Sequence, residues 1–457
     1  MKIGKREIGF ALGIVIAIVV YLAPLAGLPE KGKLCLAFTL MTVVWWAFQI
    51  AQNGYIAGVF LALLCIFNVE QPAEIFYSWT GTTMWLIIGA YLIANAVKTS
   101  GLGERIAYNY MLRFVTGFKS IIIGIFILTL ALSLLIPHPW PRAFLIMSVM
   151  MVVIESSGIV KEDATKIGFA VFAASVPLSM VFLTGDAVIN PIAASYAGGM
   201  NFVEWLKVMG VPSLAMGFIT LVLVLVLFRP TKDYSVNKEE IRGKLAAMGK
   251  ISGKELKVLI WLVIAIALWM TDAIHGINIG WVTLAIGMLI AMPVIGDLNS
   301  VKDWGAVPIH VLVFITAAMA IGHVGATTGM NDWIASTIFP DTVPDNIFIL
   351  AAFITLMTII IHMLLGSVIA VLGVAVPAIL TFTGGMDPIV PAMICYMAIA
   401  SHYLFPFQHL NTLVGASPDT GMYTQKETLK LGIPLTIAVF VVTVCVMVPY
   451  FMLLGLI

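Results

Sequence analysis

Apolar segments long enough to cross a lipid bilayer follow one another along nearly the whole chain. A helix needs about 20 largely apolar residues to span the hydrocarbon core. Only 10% of the 457 residues are charged, whereas a soluble domain carries about 25% charged residues. A water-soluble enzyme is therefore excluded, and we expect an all-α polytopic membrane protein with about 11 transmembrane helices. The predicted spans are 8–27, 34–51, 54–68, 83–98, 167–198, 207–228, 257–273, 279–296, 306–326, 391–420 and 432–455.

Proline and glycine interrupt four long apolar regions near their middles. Pro137 and Gly366 break two regions that are too long for one crossing, which predicts two re-entrant hairpins. Gly185 and Pro406 break two further spans, which predicts discontinuous helices. Non-helical backbone at this depth is tolerated only where protein or a water-filled cavity surrounds it. The hairpins are predicted at 119–158 and 347–382 and the broken helices at 167–198 and 391–420.

The positions of the 24 lysines and arginines predict the orientation of the chain. With the N-terminus in the cytoplasm, 20 of them, including Lys2, lie in cytoplasmic segments, while Lys31, Lys33 and Lys207 lie outside. This asymmetry follows the positive-inside rule. It predicts a multi-pass protein of the cytoplasmic membrane with its C-terminus outside, and it leaves Arg142 alone within the bilayer. The net charge of +1 indicates no nucleic-acid partner.

Two short segments indicate an internal repeat. Residues 98–107 read K-T-S-G-L-G-E-R-I-A and residues 326–335 read A-T-T-G-M-N-D-W-I-A, with four identities at an offset of 228 positions. The same offset brings His138 onto Gly366, so the two hairpin turns correspond. With one copy inside and the other outside, the repeat is inverted, which is typical of secondary transporters with broken helices. The predicted division is 1–78 for the first scaffold spans, 79–228 for the first transport repeat, 229–256 for a cytoplasmic connector, 257–303 for the second scaffold spans and 304–457 for the second transport repeat.

The chain resembles the divalent anion/sodium symporter family, whose members carry dicarboxylates, citrate or sulfate. The resemblance covers essentially the whole chain. It rests on the hairpins, the broken helices and the segments G-A-Y-L-I-A-N-A-V-K-T-S-G-L and T-A-A-M-A-I-G-H-V-G-A-T-T-G-M. It implies an elevator mechanism, a homodimer in the lipid bilayer and a small anionic substrate. Sodium is the coupling ion that the family suggests, and no other cofactor is expected; sodium symport, proton symport and anion exchange all remain open.

The chain departs from this family at both hairpin tips. Family members carry a Ser-Asn-Thr motif there, whose oxygens meet substrate and sodium. Here residues 137–139 read Pro-His-Pro and residues 366–368 read Gly-Ser-Val. In the broken-helix loops, Asn190 and Asn411 correspond to the family's loop asparagines. The fold and the transport class therefore carry over, whereas the sodium sites and the identity of the anion do not.

Arg142 is the most informative candidate residue, because a charge at the bilayer centre costs about 2.5–3.5 kcal/mol on insertion scales. A guanidinium facing the central cavity can bind a carboxylate or sulfate through two parallel hydrogen bonds. The structural alternative is an internal ion pair with Asp186 or Glu155. A sharper hypothesis is that the fixed charge of Arg142 replaces a sodium ion in the first half, which predicts transport that depends weakly on sodium.

Further polar residues fall in the predicted breaks. His138 and His409 lie there and can carry a coupled proton or donate to an anion, although a neutral, structurally satisfied histidine is an equal alternative. His362 and His402 are predicted to be packing residues. Asp186 can bind a cation, a proton or Arg142. The predicted substrate-binding set is Pro137, His138, Pro139, Arg142, Thr184, Gly185, Asp186, Asn190, Gly366, Ser367, Gln408, His409, Asn411 and Thr412.

The leading functional hypothesis is a secondary active transporter of small di- or tricarboxylates, or a similar divalent anion, with weakened or replaced sodium coupling. The alternative keeps the fold and changes the cargo: a cation/proton antiporter or an oxyanion exporter, in which Asp186 binds the cation and Arg142 pairs with it. A membrane-embedded enzyme is disfavoured, because the sequence has no His-Glu-x-x-His, no Gly-x-Ser-x-Gly and no P-loop.

Overall fold

The computed structural model describes residues 4–340, 342–405, 408–417 and 419–457, and therefore leaves out Lys2 of the orientation argument. The regular elements in these ranges are helices, and no strand occurs among them. Seven helices of at least 18 residues are apolar enough to cross a membrane, or up to eight crossings if one pair bent by 60° is a single span. The predicted all-α polytopic fold is confirmed, while the number of spans and their orientation stay predictions.

Four helices precede the first repeat. They are α1 (Lys5–Leu22), α2 (Glu30–Phe48), α3 (Asn53–Ile66) and α4 (Pro72–Ile75). Trp45 of α2 stacks on Phe10 of α1 with ring centroids 5.3 Å apart, and its Nε1 donates to the Phe10 carbonyl oxygen at 3.2 Å. Gln49 ends α2 in the left-handed region at φ +52°. This turn redirects the chain so that α2 and α3 pack against each other.

The first repeat contains seven helices. They are α5 (Thr83–Ser100), α6 (Leu102–Phe114), α7 (Phe118–Leu135), α8 (Pro139–Ser156), α9 (Lys161–Ser179), α10 (Ile189–Tyr196) and α11 (Phe202–Leu227). α7 and α8 form the first hairpin, and Pro139 suits the first position of α8 because it needs no backbone N–H there. The helix after the hairpin is broken between α9 and α10 by a short 3₁₀ turn at Leu183–Asp186.

The connector is anchored near both of its ends to helices of residues 79–228. The helices from the connector to the second repeat are α12 (Lys238–Ala247), α13 (Gly253–Met270), α14 (Asp272–His275) and α15 (Ile279–Leu289). Glu255 at the start of α13 accepts from Arg105 of α6 at 2.6 Å. Asp163 of α9 accepts from the Thr231 hydroxyl at 2.6 Å and from the Tyr234 hydroxyl at 2.7 Å. These contacts hold the charged connector against α6 and against the start of α9.

The second repeat follows the order of the first. Its helices are α16 (Ile309–Thr327), α17 (Met330–Ile338), α18 (Ile347–Leu365), α19 (Val368–Phe382), α20 (Ile389–Ser401), α21 (Leu410–Gly415), α22 (Gln425–Phe440) and α23 (Val448–Leu453), with a π-helical stretch at Val441–Met447 between the last two. α18 and α19 form the second hairpin. The predicted break at Pro406 lies outside the described residues, between α20 and α21.

The glycines of the matched segments take the same backbone conformation. Gly101 separates α5 from α6 at φ +82°, and Gly329 separates α16 from α17 at φ +76°. Glycine suits both positions because an L side chain disfavours positive φ. The four sequence identities therefore coincide with an equivalent helix–turn–helix in each half, which supports the internal repeat.

The two halves interlock through small residues. Gly89 of α5 lies against Thr283 and Gly287 of α15, and a Cβ atom on either glycine would meet backbone atoms of the other helix. In the same way, Gly54 of α3 lies against the backbone of His310 in α16. Small residues allow such close helix crossings in membranes. Residues 1–78 thus pack on residues 304–457, and residues 257–303 pack on residues 79–228.

Candidate functional site

A cavity of about 280 Å³ lies where both hairpin turns, both broken-helix loops and the ends of α2 and α3 meet. Helices α8, α10 and α19 begin at its wall, because residues 138–140, 188–189 and 367–369 line it at their N-termini. Helix N-termini carry partial positive charge and attract anions. The predicted site residues that line the cavity are His138, Pro139, Asp186, Gly366, Ser367, Gln408, His409 and Asn411.

His138 at the first hairpin turn is held in one tautomer by its neighbours. Its Nδ1 accepts from the backbone N–H of Trp140 at 3.2 Å, and its Nε2 lies 2.7 Å from the hydroxyl of Tyr91. In a neutral ring whose Nδ1 accepts, Nε2 carries the proton and donates to the Tyr91 oxygen. The hydroxyl proton of Tyr91 then remains for another acceptor, and Tyr91 itself lines the cavity.

Arg142 does not line the cavity and is fully buried behind the first hairpin turn. Its Nη1 donates to the carbonyl oxygens of Ile136 and Gly185, both at 3.1 Å, and its Nη2 donates to the hydroxyl of Ser179. The prediction that Arg142 faces the cavity is therefore wrong. The reason is physical: the hairpin turn and the broken helix free carbonyl groups from helical hydrogen bonding, and these groups attract the guanidinium.

The predicted ion pair of Arg142 is also not formed. Within the described ranges, no carboxylate lies within 4.0 Å of the guanidinium. Asp186 instead accepts from the backbone N–H groups of Val188 at 3.0 Å and Ile189 at 3.3 Å, so its carboxylate caps the start of α10 while facing the cavity. Capping is a common role of aspartate, because a helix start presents unpaired N–H groups.

Asn190 closes the break of the first discontinuous helix. Its Nδ2 donates to the carbonyl oxygens of Ser179 and Phe182, both at 2.9 Å, and its Oδ1 accepts from the hydroxyl of Tyr396 on α20. Every polar group of this side chain is therefore used inside the protein. The other predicted residues that lie behind the cavity wall rather than on it are Pro137, Thr184, Gly185 and Thr412.

The second broken helix brings Gln408 and His409 to the cavity. The Gln408 Oε1 accepts from the backbone N–H groups of Leu404 at 2.6 Å and Phe405 at 2.9 Å. His409 Nδ1 accepts from the Asn411 N–H at 3.3 Å, so its Nε2 carries the proton of the neutral ring. That Nε2 and the Asn411 Nδ2 are buried without a hydrogen-bond partner in the described part of the chain. Both are donors that a bound anion can use.

Several lining residues escaped the sequence analysis. Tyr91, Trp46, Gln49, Asn53 and Trp140 line the cavity beside the predicted residues. Tyr91 belongs to the duplicated G-A-Y-L-I-A segment, so the internal repeat could have indicated it as a candidate site residue. Gln49 and Asn53 are polar residues between two apolar spans, a position that an ordinary loop explains equally well. No lysine or arginine of the described chain lines the cavity.

Metal ligands are not grouped in the described part of the chain. No three histidine, cysteine, aspartate or glutamate residues in those ranges are placed to hold a metal ion. The described lining of the cavity therefore presents neutral donors, the N-termini of α8, α10 and α19, and one carboxylate. Such a lining suits a small anion that is bound by hydrogen bonds rather than by an ion pair.

Comparison with known proteins places the chain in a family. The family described as sodium:sulfate symporter transmembrane region matches residues 5–457. The chain belongs to this family. The match confirms the resemblance inferred from the repeats, the hairpins and the broken helices. Since the family consists of membrane transporters, the protein is a multi-pass transporter of a small anion and not an enzyme.

Individual relatives within the family are distant. The chain is 22% identical over 378 residues to a membrane protein of Cupriavidus necator, covering 79% of this chain and 72% of the relative. It is 22% identical over 469 residues to the sodium-dependent dicarboxylate transporter SdcS of Staphylococcus saprophyticus, covering 92% and 87%. It is 23% identical over 342 residues to the putative malate transporter YflS of Bacillus subtilis, covering 71% and 70%.

Proposed function

We propose that the protein is a secondary active transporter that carries a small dicarboxylate across the cytoplasmic membrane. The observation that carries this proposal is the convergence of the N-termini of α8, α10 and α19 on a cavity whose described lining contains no lysine or arginine. Ligand pockets usually measure about 300–1,000 Å³, so a cavity of about 280 Å³ suits a small molecule. Two relatives that are named for dicarboxylate or malate transport support this choice of cargo.

The two carboxylates of such a substrate match donors on both sides of the cavity. On the first side, the Tyr91 hydroxyl has its proton free because His138 donates to its oxygen. On the second side, His409 Nε2 and Asn411 Nδ2 are unpaired donors in the described part of the chain. Ser367 adds a hydroxyl at the N-terminus of α19. Hydrogen bonds to a charged partner contribute about 1.5–3 kcal/mol each, enough to bind a dianion without an arginine.

Arg142 takes the place of a bound sodium ion in the first half. Its three acceptors are two backbone carbonyls and one hydroxyl, and they come from the hairpin turn, the broken-helix loop and the end of α9. Oxygen atoms of these kinds are also the ligands that hard cations prefer. A guanidinium among them supplies the positive charge permanently. The coupling of transport to sodium is weakened for this reason.

The transport cycle follows an elevator mechanism in a homodimer whose N-terminus is in the cytoplasm and whose C-terminus is outside. The hairpins and broken helices, which carry most of the cavity wall, move together with the substrate. The ends of α2 and α3, which supply Trp46, Gln49 and Asn53 to the opposite wall, stay with the scaffold. The close contact of Gly89 with Gly287 ties α5 to α15, so we assign α5 to the fixed part as well.

Thermal unfolding of the purified protein tests this proposal. A ligand that binds the folded state raises the melting temperature by mass action. We expect malate to raise it in the wild type even when sodium is absent. In Arg142→Ala, which leaves the three oxygens without a cation, we expect malate to act only when sodium is present. Arg113→Ala, an exposed arginine on α6, is the matched control and should behave as the wild type.

Two results contradict different parts of the proposal. If malate stabilises the wild type only in the presence of sodium, Arg142 does not replace the ion. If neither malate nor another small dicarboxylate stabilises the protein under any ionic condition, the assignment of the cargo is wrong.

A further inference from the structure

Three buried histidines lie in or directly behind the wall of the second half of the cavity. His362 on α18, His402 directly after α20 and His409 directly before α21 are each at most 3% exposed. The rings of His362 and His402 have centroids 5.7 Å apart. His362 is also joined to the cavity wall, because its Nε2 donates to the carbonyl oxygen of Gln408 at 3.1 Å. We call these three residues the histidine cluster.

The histidine cluster has lone pairs that the fold leaves unused. A carbonyl oxygen only accepts, so His362 Nε2 carries the ring proton and Nδ1 presents a lone pair. This Nδ1 and both ring nitrogens of His402 are buried without a hydrogen-bond partner in the described ranges. An unpaired buried polar group costs about 1–3 kcal/mol. A protein that only needed to fill space here would be more stable with apolar side chains.

The elements around the cluster bring no competing charge to it. α18, α19, α20 and α21 contain no acidic or basic residue apart from His362. The helices packed against α18 and α20 carry such residues only in their first two turns: Glu30, Lys31 and Lys33 on α2, Lys161, Glu162, Asp163 and Lys166 on α9, Glu204 and Lys207 on α11, and Lys426, Glu427 and Lys430 on α22.

The remaining titratable groups around the cluster are phenols and thiols, apart from Asp186 and from Asp345, Asp387 and Asp419 in the adjoining loops. The packing elements and the adjoining loops contribute phenols and thiols, which ordinarily ionise above neutral pH. Those groups are Cys35, Tyr196, Cys395, Tyr396, Tyr403, Tyr423, Cys445 and Tyr450. Asp186 faces the cavity that His409 also lines and is the one acid in the described lining. Histidine is the side chain that ordinarily titrates between about pH 5 and 8.

We propose that the histidine cluster binds one proton that crosses the membrane together with the anion. The inference rests on the proposed function and deepens it by naming a coupling ion. The proton adds to a free lone pair of His362 or His402 and gives the second half a positive charge behind the cavity wall. A second proton is disfavoured because two imidazolium rings 5.7 Å apart repel each other.

Binding of the anion and binding of the proton reinforce each other. A dianion next to His409 and Gln408 favours positive charge on the cluster, and a protonated cluster favours the dianion. This coupling is reciprocal by thermodynamic necessity. It links the filling of the cavity to the second hairpin, since His362 lies on the hairpin arm α18 and its hydrogen bond joins that arm to the broken-helix loop.

Calorimetric titration of the full-length protein with malate, in sodium-free buffers of different ionisation enthalpy, measures the protons taken up on binding. Near neutral pH malate is fully ionised, so uptake reports on the protein. We expect the wild type to take up close to one proton for each malate bound. His362→Gln and His402→Gln should each bind malate with reduced proton uptake, because each variant removes one of the two rings that share the proton. His275→Gln, on α14 outside the cavity, should take up protons as the wild type does.

The outcomes separate this inference from the proposed function. Malate binding without proton uptake in the wild type overturns the proton site and leaves the dicarboxylate carrier standing. Unchanged uptake in both glutamine variants also overturns it. Absence of malate binding in the wild type contradicts the proposed function instead. Should one glutamine variant fail to fold, as judged by its melting temperature, the other carries the test.

Discussion

The two sides of the cavity are built from the same order of helices but satisfy their polar groups differently. On the first side, Arg142 and Asn190 place their donors on carbonyl and hydroxyl oxygens of the turn and the break. On the second side, His362, His402 and His409 keep ring nitrogens that find no partner in the described chain. The first side therefore carries a permanent charge, and the second side carries groups whose charge can change. An internal repeat of the fold does not imply equal ion sites in its two copies.

Replacing the permanent charge should have the largest effect. Arg142→Met removes the donors to Ile136, Gly185 and Ser179 and leaves buried oxygens unpaired. We expect malate uptake into sodium-free proteoliposomes to fall roughly 100-fold, or about 2.7 kcal/mol, the scale of losing charged hydrogen bonds. Arg113→Met, on an exposed side chain, should transport normally. Normal uptake by Arg142→Met would show that the first side does not depend on a fixed charge.

The anchoring of the two broken helices differs as well. Burial raises the pKa of Asp163 at the start of α9, but hydrogen bonds from Lys166, Thr231 and Tyr234 outweigh it and lower the pKa to about 2. Asp387, before α20, is exposed, and its carboxylate accepts only from the N–H of Ile389 in the described contacts. We expect Asp163→Asn to lower the free energy of unfolding by about 2 kcal/mol and Asp387→Asn to change it little.

The acid dependence of unfolding checks the same contrast. Because the pKa of Asp163 in the folded protein lies below its ordinary value, its stabilisation is complete above about pH 4 and is lost as the pH falls toward about 2. Thermal unfolding of wild type and Asp163→Asn should therefore converge over that range. Curves that stay parallel from neutral pH to pH 2 would contradict the role of this carboxylate.

A smaller effect is expected at the donor on the first side of the cavity. Tyr91→Phe removes the hydroxyl that His138 orients and leaves the ring in place. We expect the KM for malate to rise about tenfold, or about 1.4 kcal/mol, with little change in the melting temperature. Tyr110→Phe, on α6 away from the cavity lining, is the matched control. An unchanged KM in Tyr91→Phe would place the substrate away from this wall.

Most of the helical architecture could be predicted from the sequence, because apolar length and proline or glycine breaks are local signals. The hairpin predicted at 347–382 coincides with α18 and α19, and the ends of that predicted at 119–158 lie close to the start of α7 and the end of α8. α6, α12 and α17 were not predicted, since short helices with many polar residues do not stand out by hydropathy. Gly101 and Gly329 directly precede α6 and α17, but a glycine alone does not predict that a helix follows.

The site was harder to predict, because it depends on which backbone groups a break frees in three dimensions. Arg142 donates to the carbonyl oxygens of Ile136 and Gly185, which lie in the segments that follow the ends of α7 and α9. The Asp186 carboxylate accepts hydrogen bonds from the backbone N–H groups at the start of α10, and it therefore does not lie within ion-pair distance of Arg142. His362 and His402 are 40 residues apart in sequence, and each lies in an apolar stretch that favours packing. Their proximity follows from helix contacts that no local pattern encodes.

The sodium dependence of malate uptake tests the central claim most directly. Purified protein in proteoliposomes is given an inward proton gradient, and uptake is measured from sodium-free conditions up to saturating sodium. If Arg142 replaces the ion in the first half, uptake is substantial without sodium and rises at most hyperbolically when sodium is added. Uptake that vanishes without sodium and rises cooperatively with it would contradict the account.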